Sequence, residues 1–463
     1  MNVENPTTST FFKPRVALQA ELRWRIFSRL CWITVSATGF VEGQRREKAV
    51  EASADRLPAA RRARGSLGLA SLGHHLRVRG LELESWILIG LELWIQTQLE
   101  SSSGLRPRGN QALKFCRSFL DNMIAQIAFG LLAGFIGYAY VAIKPPCSRI
   151  CGSKGGPQVT SARVRLDDGR HLAYKERGVA KEIAKHKIII AHAYADSKDF
   201  NFQISQEVLK ELHICILTFD RAGYGESDPN PGRSVKSEAF DIQELADKLQ
   251  IGPKFYVMGL SIGAYAVYGC LKYIPHRLSG ATLVVPLTNF WWPCFPAKLS
   301  RDALNGLLFQ QLWTYRVAHY APWWMNQSWL PSLNSLVGKP DPFSRSDLEI
   351  LEQLAGKAPT PGQGMETQQG LHESLHRDLM VAFGKWDFDP TDISNPFPEG
   401  EGDVNMWVGH EDKVFPLELA RYLSGKIPWI RYHEVADAGH LLIYDETNCE
   451  AIFRALVWTS LGM

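Results

Sequence analysis

Gly259-Leu260-Ser261-Ile262-Gly263 is the stretch that decides the fold. It follows a strand-like run, Lys254-Phe255-Tyr256-Val257-Met258, and opens a helix-like one from Ala264 to Leu271. A serine between two glycines at a strand-to-helix turn is the nucleophile-elbow pattern. Its spacing has a steric cause. So tight a turn forces the serine into strained backbone and presses the flanking positions against neighbouring main chain, where only a residue without Cβ fits. The strain holds the hydroxyl out at the carboxyl edge of the sheet, and the amides that open the next helix lie where an oxyanion would develop. Glycine and serine are common, so in isolation a plain structural turn explains the pattern equally well.

The remainder of the chain supplies an acid and a base in a telling order. Asp412 closes Met406-Trp407-Val408-Gly409-His410-Glu411-Asp412, where an apolar run ends in a polar turn. His440 closes Glu434-Val435-Ala436-Asp437-Ala438-Gly439-His440, after another strand-like run from Ile430. Ser…Asp…His is the chain order of the α/β-hydrolase arrangement and not of the chymotrypsin or subtilisin types. Serine is a poor nucleophile unless a histidine takes its proton, and the carboxylate fixes the imidazole tautomer and stabilises the imidazolium. Singly, an aspartate after a strand is a cap or a solvated turn residue, and a histidine beside a glycine is unremarkable. Their conjunction at strand ends is what carries weight. Glu411 and Asp437 compete as the acid, and His410 and His433 as the base. His433 lies inside the Ile430–Val435 run and should point sideways from the sheet, while His410 is a loop residue. Asp412 and His440 are therefore preferred.

Lys187–His192 and Ile214–Phe219 are continuous apolar runs of the kind buried on both faces of a parallel sheet. The first ends in His192-Ala193-Tyr194, the second in Asp220-Arg221-Ala222-Gly223-Tyr224-Gly225-Glu226-Ser227. With these residues the stretch from Pro145 to Met463 resembles the α/β-hydrolase superfamily. Within it, the likeness is to plant membrane-anchored members that carry the patterns standing here as Phe219–Pro231 and Lys272–Leu278. The resemblance implies Ser261 as nucleophile, Asp412 as acid and His440 as base. It also implies an oxyanion hole made by the backbone amides of Ile262 and Tyr194. Ala193 stands where the family has glycine, and if that site needs a positive φ, alanine strains it by roughly 1 kcal/mol or more. Ala264 replaces a second glycine after the elbow.

The fold class expected is α/β, an α/β-hydrolase fold with a mainly parallel sheet, helices on both faces and a helical cap insertion. Of 463 residues, 45% are hydrophobic and 21% charged, an ordinary globular composition. A short hairpin, Ala162–Leu166 and Arg170–Tyr174, precedes alternating strand and helix signals, with helices expected at Asp199–Leu212, Ser234–Leu249 and Ala264–Tyr273. The core divides into 145–289 and 403–463 around the cap, 290–402. The cap holds Trp291, Trp292, Trp313, Trp323, Trp324, Trp329 and Trp386, which suit either the walls of an apolar pocket or the cap's own core.

Residues 1–122 carry 18 Lys and Arg against 11 Asp and Glu, while the remaining residues are net acidic. No nucleic-acid-binding motif accompanies the charge, and the acidic residues argue against an organelle transit peptide. The segment reads as disorder or as an extension upstream of a start at Met123. Ile124–Ile143 has one polar amide, Gln126, and no charge, which is enough to cross about 30 Å of hydrocarbon. It is read as a single N-terminal membrane anchor within 123–144, with a cleaved signal peptide as the alternative. Basic residues on both sides leave its orientation open. Cys147 and Cys151 could bridge, and Asn326-Gln327-Ser328 is a lone glycosylation sequon. No cofactor, no metal and no nucleic-acid partner is expected.

The combined expectation is a membrane-anchored serine hydrolase acting on a small-molecule or lipid acyl ester. A non-catalytic ligand-binding protein of the same fold, or an acyltransferase using the same three residues, are the alternatives. Epoxide hydrolase and dehalogenase chemistry would need an aspartate at position 261.

Overall fold

The computed structural model describes residues 109–325, 343–355 and 364–458. The basic segment 1–108, the sequon at Asn326, Trp329 and residues 356–363 lie outside the described residues. The chain divides into two compact units, Met1–Tyr140 and Val141–Met463.

In the first unit the described element is the long helix α1, Gly109–Ile143. Its stretch Asp121–Val141, 21 residues with a mean hydropathy of 1.7 and none of it buried, is the one segment among the described residues long and apolar enough to cross a membrane. The helix begins well before Met123, because no proline or glycine interrupts the chain between Asn110 and Met123. It ends just before Lys144-Pro145-Pro146, where the residue ahead of a proline is driven out of helical backbone.

The second unit is built on an eight-stranded sheet in the order β1-β2-β4-β3-β5-β6-β7-β8. β1 (Arg163–Arg165) and β2 (His171–Gly178) form the antiparallel hairpin, and β2 also pairs antiparallel with β4 (Ile214–Phe219). Every further pairing is parallel, through β3 (His186–Ala191), β5 (Phe255–Leu260), β6 (Leu278–Val284), β7 (Val404–Gly409) and β8 (Ile430–Val435). All six residues of β4 and of β5 are buried. The strand period of two splits them between two cores. Ile189, Leu217, Phe255 and Val257 face one cluster, and Ile188, Ile216, Tyr256 and Met258 the other. Burial on both faces is why these strands read as unbroken apolar runs.

Helices α2 (Gln206–Glu211), α3 (Val235–Lys248) and α4 (Ala264–Tyr273) follow their strands in turn. Ser234 caps α3 by accepting from the Ser237 amide. The helix expected over Asp199–Leu212 is confined to α2. Ser205 caps it, and the preceding Phe200 and Phe202 leave helical periodicity to plug the second core, where Phe202 stacks on Phe453 at 5.5 Å.

Between β6 and β7 lies a helical insertion: α5 (Ala297–Asn305), α6 (Phe309–Tyr320), α7 (Arg345–Ala355) and α8 (Arg377–Phe383), the last entered through a π-helical turn at His372–His376. Its tryptophans divide by role. Trp292 is buried against Tyr268 and Trp386, whereas Trp313, Trp323 and Trp324 are exposed. On α6 the pattern is mixed: Gln311 and Thr314 are buried beside Tyr315, Val317 and Ala318, while Phe309, Trp313 and Tyr320 face outward. After β7 come α9 (Leu417–Lys426) and α10 (Glu446–Val457), whose Ile452, Phe453 and Leu456 cover the second face of the sheet. Cys147 and Cys151 do not bridge: one is exposed, and the other is buried with its thiol directed at the Gly225 carbonyl, 3.7 Å away.

Candidate active site

Ser261 follows directly on the end of β5, with φ at 51°. For a residue with a side chain this left-handed backbone costs of order 1–3 kcal/mol and persists only where its surroundings impose it. The flanking glycines show how they do so. A Cβ on Gly259 would sit 2.7 Å from Ala264 Cα and from Val267 Cγ2, and one on Gly263 would collide with the carbonyl oxygens of His192 and Ala191. Gly263 thereby lets the start of α4 close against the end of β3, bringing the Ile262 turn beside the His192–Tyr194 loop. A second strained corner buttresses the elbow. Val285 (φ 42°) follows directly on β6, its amide donates to the Trp407 carbonyl at 2.7 Å, and two residues on Leu287 N–H donates to the Ser261 carbonyl at 2.9 Å.

His440 Nε2 lies 2.8 Å from Ser261 Oγ, and His440 Nδ1 lies 2.8 Å from Asp412 Oδ2. The carboxylate can only accept, so Nδ1–H donates to Asp412 and Nε2 presents its lone pair to the serine hydroxyl. The other oxygen of Asp412 accepts from the amides of Val414 (2.8 Å) and Phe415 (3.2 Å), which fixes its plane. Gly409 brings the two loops together, since a Cβ there would collide with the carbonyl oxygens of Ala438 and Gly439. Burial works to lower the His440 pKa, but the Asp412 charge and hydrogen bond, with a smaller push from Asp347, outweigh it and raise it above 6.5.

The competing residues stand elsewhere. His433 bonds Asn405 Oδ1 at 2.9 Å and stacks on Trp407, sideways from the sheet. His410 is exposed and pairs with Glu434 at 2.7 Å; Glu411 accepts from Ser346 Oγ at 3.1 Å; Asp437 is exposed.

The loop carrying Tyr194 is held from beneath. His192 is fully buried, and burial together with the Arg221 charge keeps it neutral by pulling its pKa well below 6.5. Its Nε2 accepts from the Arg221 amide (3.1 Å), while Nδ1–H donates to the Ala193 carbonyl (2.8 Å). That carbonyl also accepts from Arg221 Nη2 at 3.2 Å. The strain anticipated at Ala193 is not there: the left-handed residue of this loop is Ala195, φ 54°. Alanine at 193 is therefore compatible with the loop as built.

Two carboxylates from the insertion were not singled out by the sequence. Asp378 of α8 takes both Nη atoms of Arg221 at 2.6 and 2.7 Å, Arg233 Nη2 at 3.1 Å, and the hydroxyls of Tyr224 (2.6 Å) and Tyr265 (2.8 Å). Burial would raise its pKa, but Arg221 and Arg233 hold it down to about 2. Asp347 of α7 accepts from the backbone of the His440 loop. The Ser344-x-x-Asp347 spacing is a helix-start signature that was there to find. Asp378 has no such local mark. Among the described residues no group of three or more His, Cys, Asp and Glu side chains is arranged to hold a metal ion.

The Alpha/beta hydrolase family matches residues 188–455, more than half of the chain, and the protein belongs to that family. No curated protein sequence matches it significantly. Similar solved structures include an esterase from Exiguobacterium antarcticum (18% identity, TM-score 0.47, covering 65% of this chain and 100% of that one). Others are a thermophilic esterase from Thermogutta terrifontis (18%, 0.42, 64% and 97%) and the enol-lactonase from Burkholderia xenovorans (16%, 0.44, 65% and 100%). These likenesses are distant, and the chemistry is read from the site itself.

Proposed function

We propose that the protein is a serine hydrolase that cleaves carboxylic esters through an acyl-Ser261 intermediate. The observation that carries this reading is the unbroken chain from Ser261 Oγ through His440 to Asp412, with both links at 2.8 Å. Ser261 Oγ attacks the ester carbonyl carbon as its proton passes to His440 Nε2. The carbonyl oxygen takes the negative charge and is stabilised by the amides of Ile262 and Tyr194. Collapse of the tetrahedral species expels the alcohol, which receives the proton from His440. Water then attacks the acyl carbonyl, again giving a proton to His440, and the carboxylic acid leaves while Ser261 recovers its hydrogen.

The substrate class we infer is an apolar, lipid-like acyl ester, and the protein is one of the membrane-anchored type its motifs resemble. The aromatic insertion next to the catalytic strands and the 21-residue apolar stretch of α1 support both inferences. The test is labelling of the full chain with a fluorophosphonate probe beside Ser261→Ala, followed by hydrolysis of p-nitrophenyl esters of increasing chain length. Labelling that disappears in the variant is the expected result. A folded wild-type protein that stays unlabelled would overturn the reading and favour a ligand-binding role.

A further inference from the structure

Asp347 is fully buried, belongs to the insertion and touches neither Ser261 nor Asp412. Its Oδ2 accepts from the His440 amide at 3.1 Å and its Oδ1 from the Leu441 amide at 2.7 Å, across 93 and 94 residues of sequence. The same carboxylate is seated by Ser344, whose amide (3.0 Å) and hydroxyl (2.9 Å) both donate to Oδ2. Its approach depends on Gly439, where any Cβ would collide with Asp347 Oδ2 and Ser344 Oγ. The loop Gly439-His440-Leu441 is thus shaped to receive a carboxylate from the cap. Without it the buried His440 amide would have no partner, and such an orphan costs about 1–3 kcal/mol.

We propose that Asp347 is a positioning residue through which the cap sets the orientation and the charge balance of His440. The proposal rests on His440 acting as the base of the reaction above. Two backbone hydrogen bonds on either side of the His440 Cα leave the imidazole little freedom to swing from Ser261. The negative charge beside the loop also favours the imidazolium that forms when Ser261 is deprotonated. The groups facing the ring can be named from every side. From the loop after β7 come the Asp412 carboxylate and the Phe415 ring, 5.7 Å away, and from the elbow the neutral Ser261 hydroxyl; Asp347 meets the loop at its backbone amides and acts on the ring through its charge. Glu411 is engaged by Ser346. Asp412 supplies the larger share of the charge and Asp347 the smaller, so loss of Asp347 should weaken the base without abolishing it.

The experiment compares the full-length wild type with Asp347→Asn, which preserves volume, removes the charge and turns one of the two accepting oxygens into a donor. The His440 ring is titrated by NMR on histidine-labelled protein in detergent, its signal assigned by loss in His440→Gln. In parallel, the second-order rate of fluorophosphonate labelling is followed against pH. We expect the His440 pKa to fall, and labelling on the alkaline plateau to slow about tenfold or more from misplacement of the ring. An unshifted pKa with an unchanged plateau would overturn the proposal and leave Asp347 a structural residue of the cap. Should Asp347→Asn fail to fold, Ser344→Ala keeps the carboxylate but removes one of its donors. A several-fold slower plateau is then expected, and a wild-type rate overturns the proposal. If the wild type does not label at all, the ester-cleaving reading fails, while the NMR titration still decides the role of Asp347.

Discussion

Ser261 and its two glycines were readable because their constraint is local: a strained residue needs bare neighbours, and those neighbours are adjacent in sequence. His440 was separable from His433 by strand parity, since a side chain inside a strand cannot also reach over its edge, and from His410 by its place in a loop, whereas Glu411 and Asp437 stood as open competitors of Asp412. The loop of Tyr194 was read less well, because which of three consecutive small or aromatic residues turns left-handed depends on what holds their carbonyls. Here Arg221 fixes Ala193, and the positive φ passes to Ala195. Two substitutions separate these positions. Ala195→Gly should relieve the strained φ and stabilise the fold by about 0.5–1 kcal/mol, seen as a higher midpoint in thermal unfolding, whereas Ala193→Gly should give no such gain. The His440 pKa makes a further prediction. Because it is raised above 6.5, the acid limb of probe labelling or of kcat/KM should lie above pH 6.5, with the rate climbing as pH rises through the shifted value. The stability linkage has the opposite slope. His440 contributes stability that is complete below pH 6.5 and is lost as pH rises through its folded-state pKa. An acid limb below 6.5 would show that the Asp412 contact does not persist in the working enzyme.

Among the elements, the strands and the helix α4 follow from periodicity, and α3 from periodicity and its Ser234 cap. The insertion does not, because its helices are placed by side chains whose partners lie far off in sequence. Asp378 on α8 meets Arg221 across 157 residues, and nothing around it marks the contact. Yet α8 is what joins the cap to the motif Asp220-Arg221-Ala222-Gly223-Tyr224, and through Arg221 to the loop of Tyr194. Removing one partner from a fully buried ion pair strands the others, so Asp378→Ala should destabilise the second unit by about 3–5 kcal/mol, measured by urea unfolding. Probe labelling of the surviving folded fraction should also slow, since Arg221 loses its anchor. The acid branch is set by the same group. With its carboxyl held at about 2 against an ordinary 3.8, Asp378 contributes stability that is full above about pH 4 and disappears as pH falls towards 2. The wild type should therefore lose stability steeply in that window, and Asp378→Asn, already destabilised, should lose less of what remains.

Across the whole chain, the two compact units carry different information. Val141–Met463 encloses both hydrophobic cores, the sheet and every residue of the proposed mechanism. Met1–Tyr140 contains most of α1, whose apolar stretch is exposed along its length. An exposed, mostly apolar stretch of 21 residues is unfavourable in water at about 25 cal/mol per Å² of apolar surface, whereas a bilayer matches its length and the helix satisfies its own backbone hydrogen bonds there. If that is its environment, the full chain should remain in the membrane fraction after an alkaline carbonate wash and be released by detergent. Deleting 121–141 should move the protein to the soluble fraction. Because each core lies within the second unit, the deleted form should keep its urea midpoint and its Ser261-dependent probe labelling. Carbonate release of the intact chain would remove the anchor from the reading and leave the chemistry standing. Loss of labelling in a soluble, folded deletion would instead mean that the first unit contributes to the site, which nothing in the geometry of Ser261, His440 and Asp412 requires.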